Sequence, residues 1–161
     1  MKNTALKITR GALITACYFV ITLLTASLAY KDIQFRIAEI LMLLCFYKKD
    51  YCIPLILGCA IANFFSPMAL MDIFFGTFAT ALAAFCMWKS KNIYIAAVFP
   101  VIFNAVIVGV ELKIALKLPL FMSMLTVGLG ELAVMAAGVI LFKLILEKRN
   151  IFKKIFQPEK I

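Results

Sequence analysis

No histidine occurs in this chain, which removes the commonest metal ligand and the side chain most used as a general base near neutral pH. The sequence also has no G-x-x-x-x-G-K-[ST] loop, no H-E-x-x-H and no G-x-S-x-G. The expectation is a protein that catalyses nothing and takes no cofactor. Cys17, Cys45, Cys52, Cys59 and Cys86 all lie in or beside apolar stretches, and no two have C-x-x-C spacing. They read as small core hydrophobes rather than a zinc or redox site. Charge is sparse at 16% of residues, and no stretch is polar enough and long enough to build a water-soluble domain.

What the 161 residues do hold is apolar: 65% are hydrophobic, far above the balance of a soluble domain. The net charge of +9 comes from basic residues that flank apolar runs. They form no arm or stripe interleaved with aromatics, so nucleic acid is not an expected partner and the lipid bilayer is. Breaks of charge, proline or glycine divide the chain into six apolar segments, 8–29, 35–47, 51–65, 68–88, 93–110 and 120–146. This predicts one all-α integral membrane domain, 1–161, with six transmembrane helices. Helices are preferred to barrel strands because the runs do not alternate and an open sheet edge has no partner in lipid. The segments 35–47 and 51–65 fall short of the roughly 20 residues that fill a bilayer and must be tilted, interfacial or shielded by their neighbours.

The first segment has Lys2, Lys7 and Arg10 ahead of it and Ser27-Leu28-Ala29 behind, but its apolar stretch is too long for a signal-peptide core, so it is counted as a span. Placing both termini in the cytoplasm leaves only Lys31, Arg36, Lys113 and Lys117, of 17 lysines and arginines, on the outer side. The tail 151–161 reads as an amphipathic end at the inner leaflet.

Polar residues inside the apolar segments converge on the outer half of this topology. Glu39, Asn63, Asp72 and Glu111 lie near outer segment ends, and Asn104 shares a helix face with Glu111. Glu131 sits about 11 residues into the last segment, roughly 16 Å of rise from its outer end and near mid-membrane. Glu39, Asp72 and Glu111 have a plain reading as interfacial charges paired with Arg36 or Lys113, and Asp72 another as a helix cap. An ion as deep as Glu131 needs a cavity or a partner, because exposure to lipid costs about 2.5 kcal/mol or more. Gly128, one turn before Glu131, and Gly76, Ala79 and Ala83 after Asp72 offer space beside the acids or close helix packing. The first segment has no acid but carries the small-x-x-x-small pairs Ala12/Ala16 and Thr22/Ala26, which suit close approach by a neighbouring helix or a second protein.

The stretches IQFRIAE (33–39), GCAIANFFSPMALMDIFFGTFAT (58–80), FPVIFNAVIVGVEL (99–112) and VGLGEL (127–132) resemble the QueT family, substrate-binding S-components of energy-coupling factor (ECF) transporters for queuosine precursors. The resemblance implies a six-helix S-component in a prokaryotic cytoplasmic membrane. Such a subunit captures pre-queuosine-1 or queuine, both 7-deazaguanines, and associates with a transmembrane coupling subunit and two cytosolic ATPases. It assigns Ala12 and Ala16 to the coupling subunit. One carboxylate can accept both N–H donors on the edge of a deazaguanine ring. Glu131 is the candidate for that edge, Glu39 or Asp72 for the cationic amine, and Asn63, Asn104 and Gln34 for the carbonyl and ring nitrogens. Arg36 is expected to orient Glu39, and Phe35, Phe74, Phe75 and Phe103 to cover the ring faces. Alternatives are an S-component for another vitamin-like solute, a stand-alone channel or exporter, and a membrane partner without a ligand.

Overall fold

In an apolar chain the backbone is the main polar group, and a helix satisfies it without outside partners. The computed structural model describes residues 2–29 and 35–149, and all regular structure among them is helical. Helix α1, Lys2–Leu24, is followed by the single turn α2, Ala26–Ala29. A 3-10 segment, Ile37–Leu43, runs into α3, Leu44–Tyr47, and a 3-10 turn, Lys49–Tyr51, leads into α4, Cys52–Phe64. Three long helices follow, α5 (Ala69–Lys89), α6 (Ile93–Leu116) and α7 (Leu120–Ile140), the last continued by a π-helical turn, Leu141–Leu146.

Among the described residues four helices are long and apolar enough to cross a membrane: Thr4–Leu24, Ala69–Lys89, Ile93–Leu116 and Leu120–Leu146. The expectation of six spans therefore resolves into these four and two shorter pieces. Ile37–Tyr47 and Cys52–Phe64 each reach about 20 Å, short of a hydrocarbon core of about 30 Å. Shielding by neighbours explains how the first of them is tolerated. Ala38, Glu39, Met42, Leu43, Leu44, Cys45 and Tyr47 are all buried, with α1, α5, α6 and α7 packed around them.

Two helix limits differ from the expected ones. The first helix begins before residue 8 and breaks at Thr25, whose hydroxyl and amide both turn back to the Ile21 carbonyl, at 2.7 and 3.0 Å. Helix α6 runs six residues beyond 110, because Glu111 points into the bundle and is no helix-ending surface charge. It stops at Lys117, which adopts the left-handed conformation with φ 57°, and Pro119 then cannot continue the hydrogen-bond ladder.

Short connections make sequential helices neighbours. Helix α1 packs on α4, α4 on α5, α5 on α6 and α6 on α7, while the 3-10 segment closes the ring between α7 and α1. Apolar side chains cover the outside: Ile53, Leu57, Ile61 and Phe64 form the exposed face of α4, and Leu55, Cys59, Ala62 and Asn63 its buried one. Polar side chains such as Glu39, Asp72, Asn104, Glu111 and Glu131 point inward. That inversion of the water-soluble pattern is the arrangement of a multi-pass membrane protein. At the end where α1 begins and α7 finishes, the interior is apolar and is closed by Tyr47, which stacks on Phe142 and donates to Glu147 Oε1 at 2.6 Å.

Helix α1 is the most peripheral, and it reaches the core because α4 has a glycine at the crossing. A Cβ on Gly58 would lie 2.9 Å from Tyr18 Cβ and 3.1 Å from the Thr15 carbonyl oxygen. Thr15 Oγ1 bonds the Pro54 carbonyl at 2.8 Å alongside. Gly58→Val should therefore cost about 1–3 kcal/mol through overpacking. In detergent it is expected to lower the thermal unfolding midpoint, whereas Leu57→Val on the exposed face of the same helix leaves the midpoint unchanged.

Candidate functional site

The polar interior begins where the described chain resumes after residue 34. Arg36 precedes the 3-10 segment, and its side chain turns inward, only 6% exposed, to meet Asp72 of α5 at 3.4 Å. Asp72 is held from other sides as well. Ser66 bonds its second oxygen, Ser66 Oγ accepts the Met68 amide at 3.0 Å, and Asn63 Nδ2 donates to the Asp72 carbonyl at 2.8 Å. Gly76, one turn along α5, leaves room for this cluster, since a Cβ there would lie 2.9 Å from Asn63 Nδ2 and 3.3 Å from Arg36 Nη1.

One turn of 3-10 helix beyond Arg36, Glu39 projects on the same side, because 3-10 geometry repeats every three residues. Its Oε1 accepts the Tyr18 hydroxyl of α1 at 2.6 Å. Thr80 of α5 bonds the Gly76 carbonyl at 2.9 Å and lies 3.2 Å from Cys59 Sγ. Helices α6 and α7 supply the remaining wall. Glu131 faces Glu39, Arg36 and Asn104, and Glu111, two turns beyond Asn104 on the same face, faces Asp72 and Arg36.

The cluster does not satisfy itself. Arg36 Nη1, Glu39 Oε2, both amide atoms of Asn104, both oxygens of Glu111 and Glu131 Oε1 are buried with no hydrogen-bond partner among the described residues. Glu39, Asn104, Glu111 and Glu131 are each at most 1% exposed. A buried polar atom without a partner costs about 1–3 kcal/mol, and charged atoms cost more. Four buried carboxyl groups stand against one guanidinium, Arg36 being the only buried cation among the described residues. Carboxylate oxygens only accept, whereas the Asn104 amide both accepts and donates. The arrangement suits a ligand that brings several N–H donors, a carbonyl and positive charge.

Of the residues expected at a site, Arg36, Glu39, Asn63, Asp72, Asn104 and Glu131 are brought together, and Gln34 lies outside the described residues. Phe35 is half-buried at the same end. Gly128 faces Ala105 of α6, with a Cβ position 3.2 Å from its methyl group, so close helix contact accounts for it. Phe74 is corrected: it is 73% exposed, since two residues from Asp72 on a helix is nearly the opposite face. Arg36 pairs with Asp72, and the group bonded to Glu39 is Tyr18. Tyr18, Ser66 and Thr80 are additions that sequence reasoning passed over. Ser66 and Thr80 lie close to Asp72 in sequence, but a lone tyrosine in an apolar run gives no sign of facing inward.

Ala12 and Ala16 are exposed on the outside of α1. With Pro54, Leu57 and Ile61 of α4 they line a surface groove of about 800 Å³, whose terminal end carries Lys7, Arg10 and Lys48.

Comparison with known proteins bears on what this interior holds. Residues 8–147 match the family described as QueT transporter. Over 153 residues the chain is 28% identical to the queuosine precursor transporter QueT of Lactococcus lactis subsp. cremoris (strain MG1363), covering 85% of this chain and 90% of that protein. No solved structure matches.

Replacing Arg36 by methionine keeps the length of the side chain and strands Asp72 among three other buried carboxyl groups. Breaking one partner of a buried pair costs about 3–5 kcal/mol. The Arg36→Met variant should show a clear drop in thermal midpoint in detergent, and Lys113→Met, on the exposed side of α6, should show none.

Proposed function

Because the chain belongs to the QueT transporter family, we propose that it is the substrate-binding S-component of an ECF-type ABC importer and that its cargo is a queuosine precursor, pre-queuosine-1 or queuine. The observation that carries this reading is Glu131 Oε1 beside the Asn104 amide, all three atoms without a hydrogen-bond partner among the described residues and sealed in the middle of an apolar bundle. A 7-deazaguanine presents a ring N–H and an exocyclic amine on one edge. The Glu131 carboxylate accepts both, and Asn104 beside it meets the ring carbonyl or a ring nitrogen. Apolar walls exclude water, so these hydrogen bonds discriminate strongly against rings that lack a donor.

In this reading the Lys/Arg distribution sets both termini in the cytoplasm and the polar end of the bundle toward the outside. The two short segments, sheltered by the four long helices, complete a six-helix crossing. Energy comes from elsewhere: this chain associates with a transmembrane coupling subunit and two cytosolic ATPases. The exposed Ala12 and Ala16 mark where a partner helix approaches, along the groove between α1 and α4.

Glu131→Gln keeps the size of the side chain and turns one acceptor into a donor, so one ligand N–H loses its partner. The loss of about 3–5 kcal/mol predicts binding weaker by two to four orders of magnitude, measured by calorimetry in detergent with pre-queuosine-1. Binding as tight as that of the native chain would overturn the assignment. A second outcome concerns the partner. Ala12→Leu combined with Ala16→Leu should block uptake and co-purification with the coupling subunit while leaving calorimetric affinity within about twofold, since neither alanine touches the polar interior.

A further inference from the structure

The sequence offers Glu39 and Asp72 for a cationic substituent on the ligand, but in the fold Asp72 is engaged through both oxygens and Glu39 through one. Asp72 shares its oxygens between Arg36 and Ser66, and Glu39 accepts from Tyr18. Glu111 is different in kind. It is fully buried, and neither of its oxygens has a partner among the described residues. Its position is set by α6, which carries Asn104 seven residues earlier on the same face, about 10 Å away along the axis. That separation is comparable with the long dimension of a bicyclic heterocycle carrying a one-carbon amine.

Electrostatics points the same way. The Arg36–Asp72 pair cancels within itself, so the remaining carboxyl groups, Glu39, Glu111 and Glu131, have no buried cation of their own among the described residues. Glu39 has one oxygen committed to a neutral hydroxyl, and Glu131 and Asn104 stand together at mid-height. Glu111 is left facing the Asp72 carboxyl group, with Arg36 already paired. A positive group at this point gains a charge-assisted hydrogen bond to a carboxyl group in a dry site.

We propose that Glu111 receives the protonated amine of the ligand, making it the residue that selects aminomethyl-substituted rings over neutral rings of the same shape. This rests on the deazaguanine reading above, with Glu131 at the ring edge. The two acids then form a two-ended gauge: Glu131 and Asn104 read the heterocycle, and Glu111 reads the charge at its far end.

The test uses two probes with one ring, 7-aminomethyl-7-deazaguanine and 7-methyl-7-deazaguanine, and three proteins, native, Glu111→Gln and Glu131→Gln, all in detergent calorimetry. The native protein should prefer the aminomethyl compound by about 10–100-fold, the range of one charge-assisted hydrogen bond. Glu111→Gln should lose that preference by weakening the aminomethyl compound alone, and Glu131→Gln should weaken both compounds. Equal native affinity for the two compounds overturns the role of Glu111 without any variant, so a misfolded Glu111→Gln protein would not shelter the idea. Equal weakening of both compounds by Glu111→Gln also overturns it and makes the residue structural. Failure of both compounds to bind the native protein overturns the deazaguanine reading and this inference together.

Discussion

A single guanidinium organises the polar half of this bundle. Arg36 enters from the start of a short 3-10 segment and meets Asp72 of α5 inside a shell of apolar helices. An ion there is tolerated only with a partner and a satisfied surround. Ser66 and Asn63 anchor Asp72, Gly76 clears the space, and Glu39 follows from the next 3-10 turn. Once this pair is fixed, the rotation of α5 about its axis is fixed, and with it the faces that α4 and α6 present to the interior. The remaining acids then come to face one another as a consequence of helix phase.

Tyr18 ties the outermost helix into that centre. Helix α1 contributes little else to the core, with Gly11, Tyr18 and Thr22 as its buried stripe, yet its tyrosine reaches Glu39 through the gap left by Gly58. A flanking face of the same helix carries Ala12 and Ala16. One rigid helix thus joins the polar interior to the groove proposed for a partner, and a rotation of α1 at one of them is felt at the other.

Much of this was legible in the sequence. Apolar runs bounded by charge located the four long helices, and acids or amides within those runs identified Glu39, Asn63, Asp72, Asn104 and Glu131. The errors have physical causes. Glu111 and Lys113 read as the end of a span because charge normally marks an interface, whereas the helix continues and turns Glu111 inward. The identity of each partner was not legible: Arg36 three residues from Glu39 looks like a local pair, but it chooses Asp72, 36 residues away in the chain. Tyr18 was hidden because a tyrosine in an apolar helix is equally at home in lipid, in the core or at an interface, and only the rotation of α1 on α4 decides.

The missing side chain at Gly76 has a consequence for how such a protein can change over generations. Even a methyl group there would press on Asn63 and on both terminal nitrogens of Arg36. Alanine at 76 is therefore a neutral step only in a chain where Asn63 and the arginine have both given way, and a chain that has given up the arginine leaves Asp72 without its cation. Gly76 and Asp72, one turn apart on α5, are thus tied to Arg36 from another part of the chain, and the order in which the three could be lost is constrained by the space of a single carbon atom.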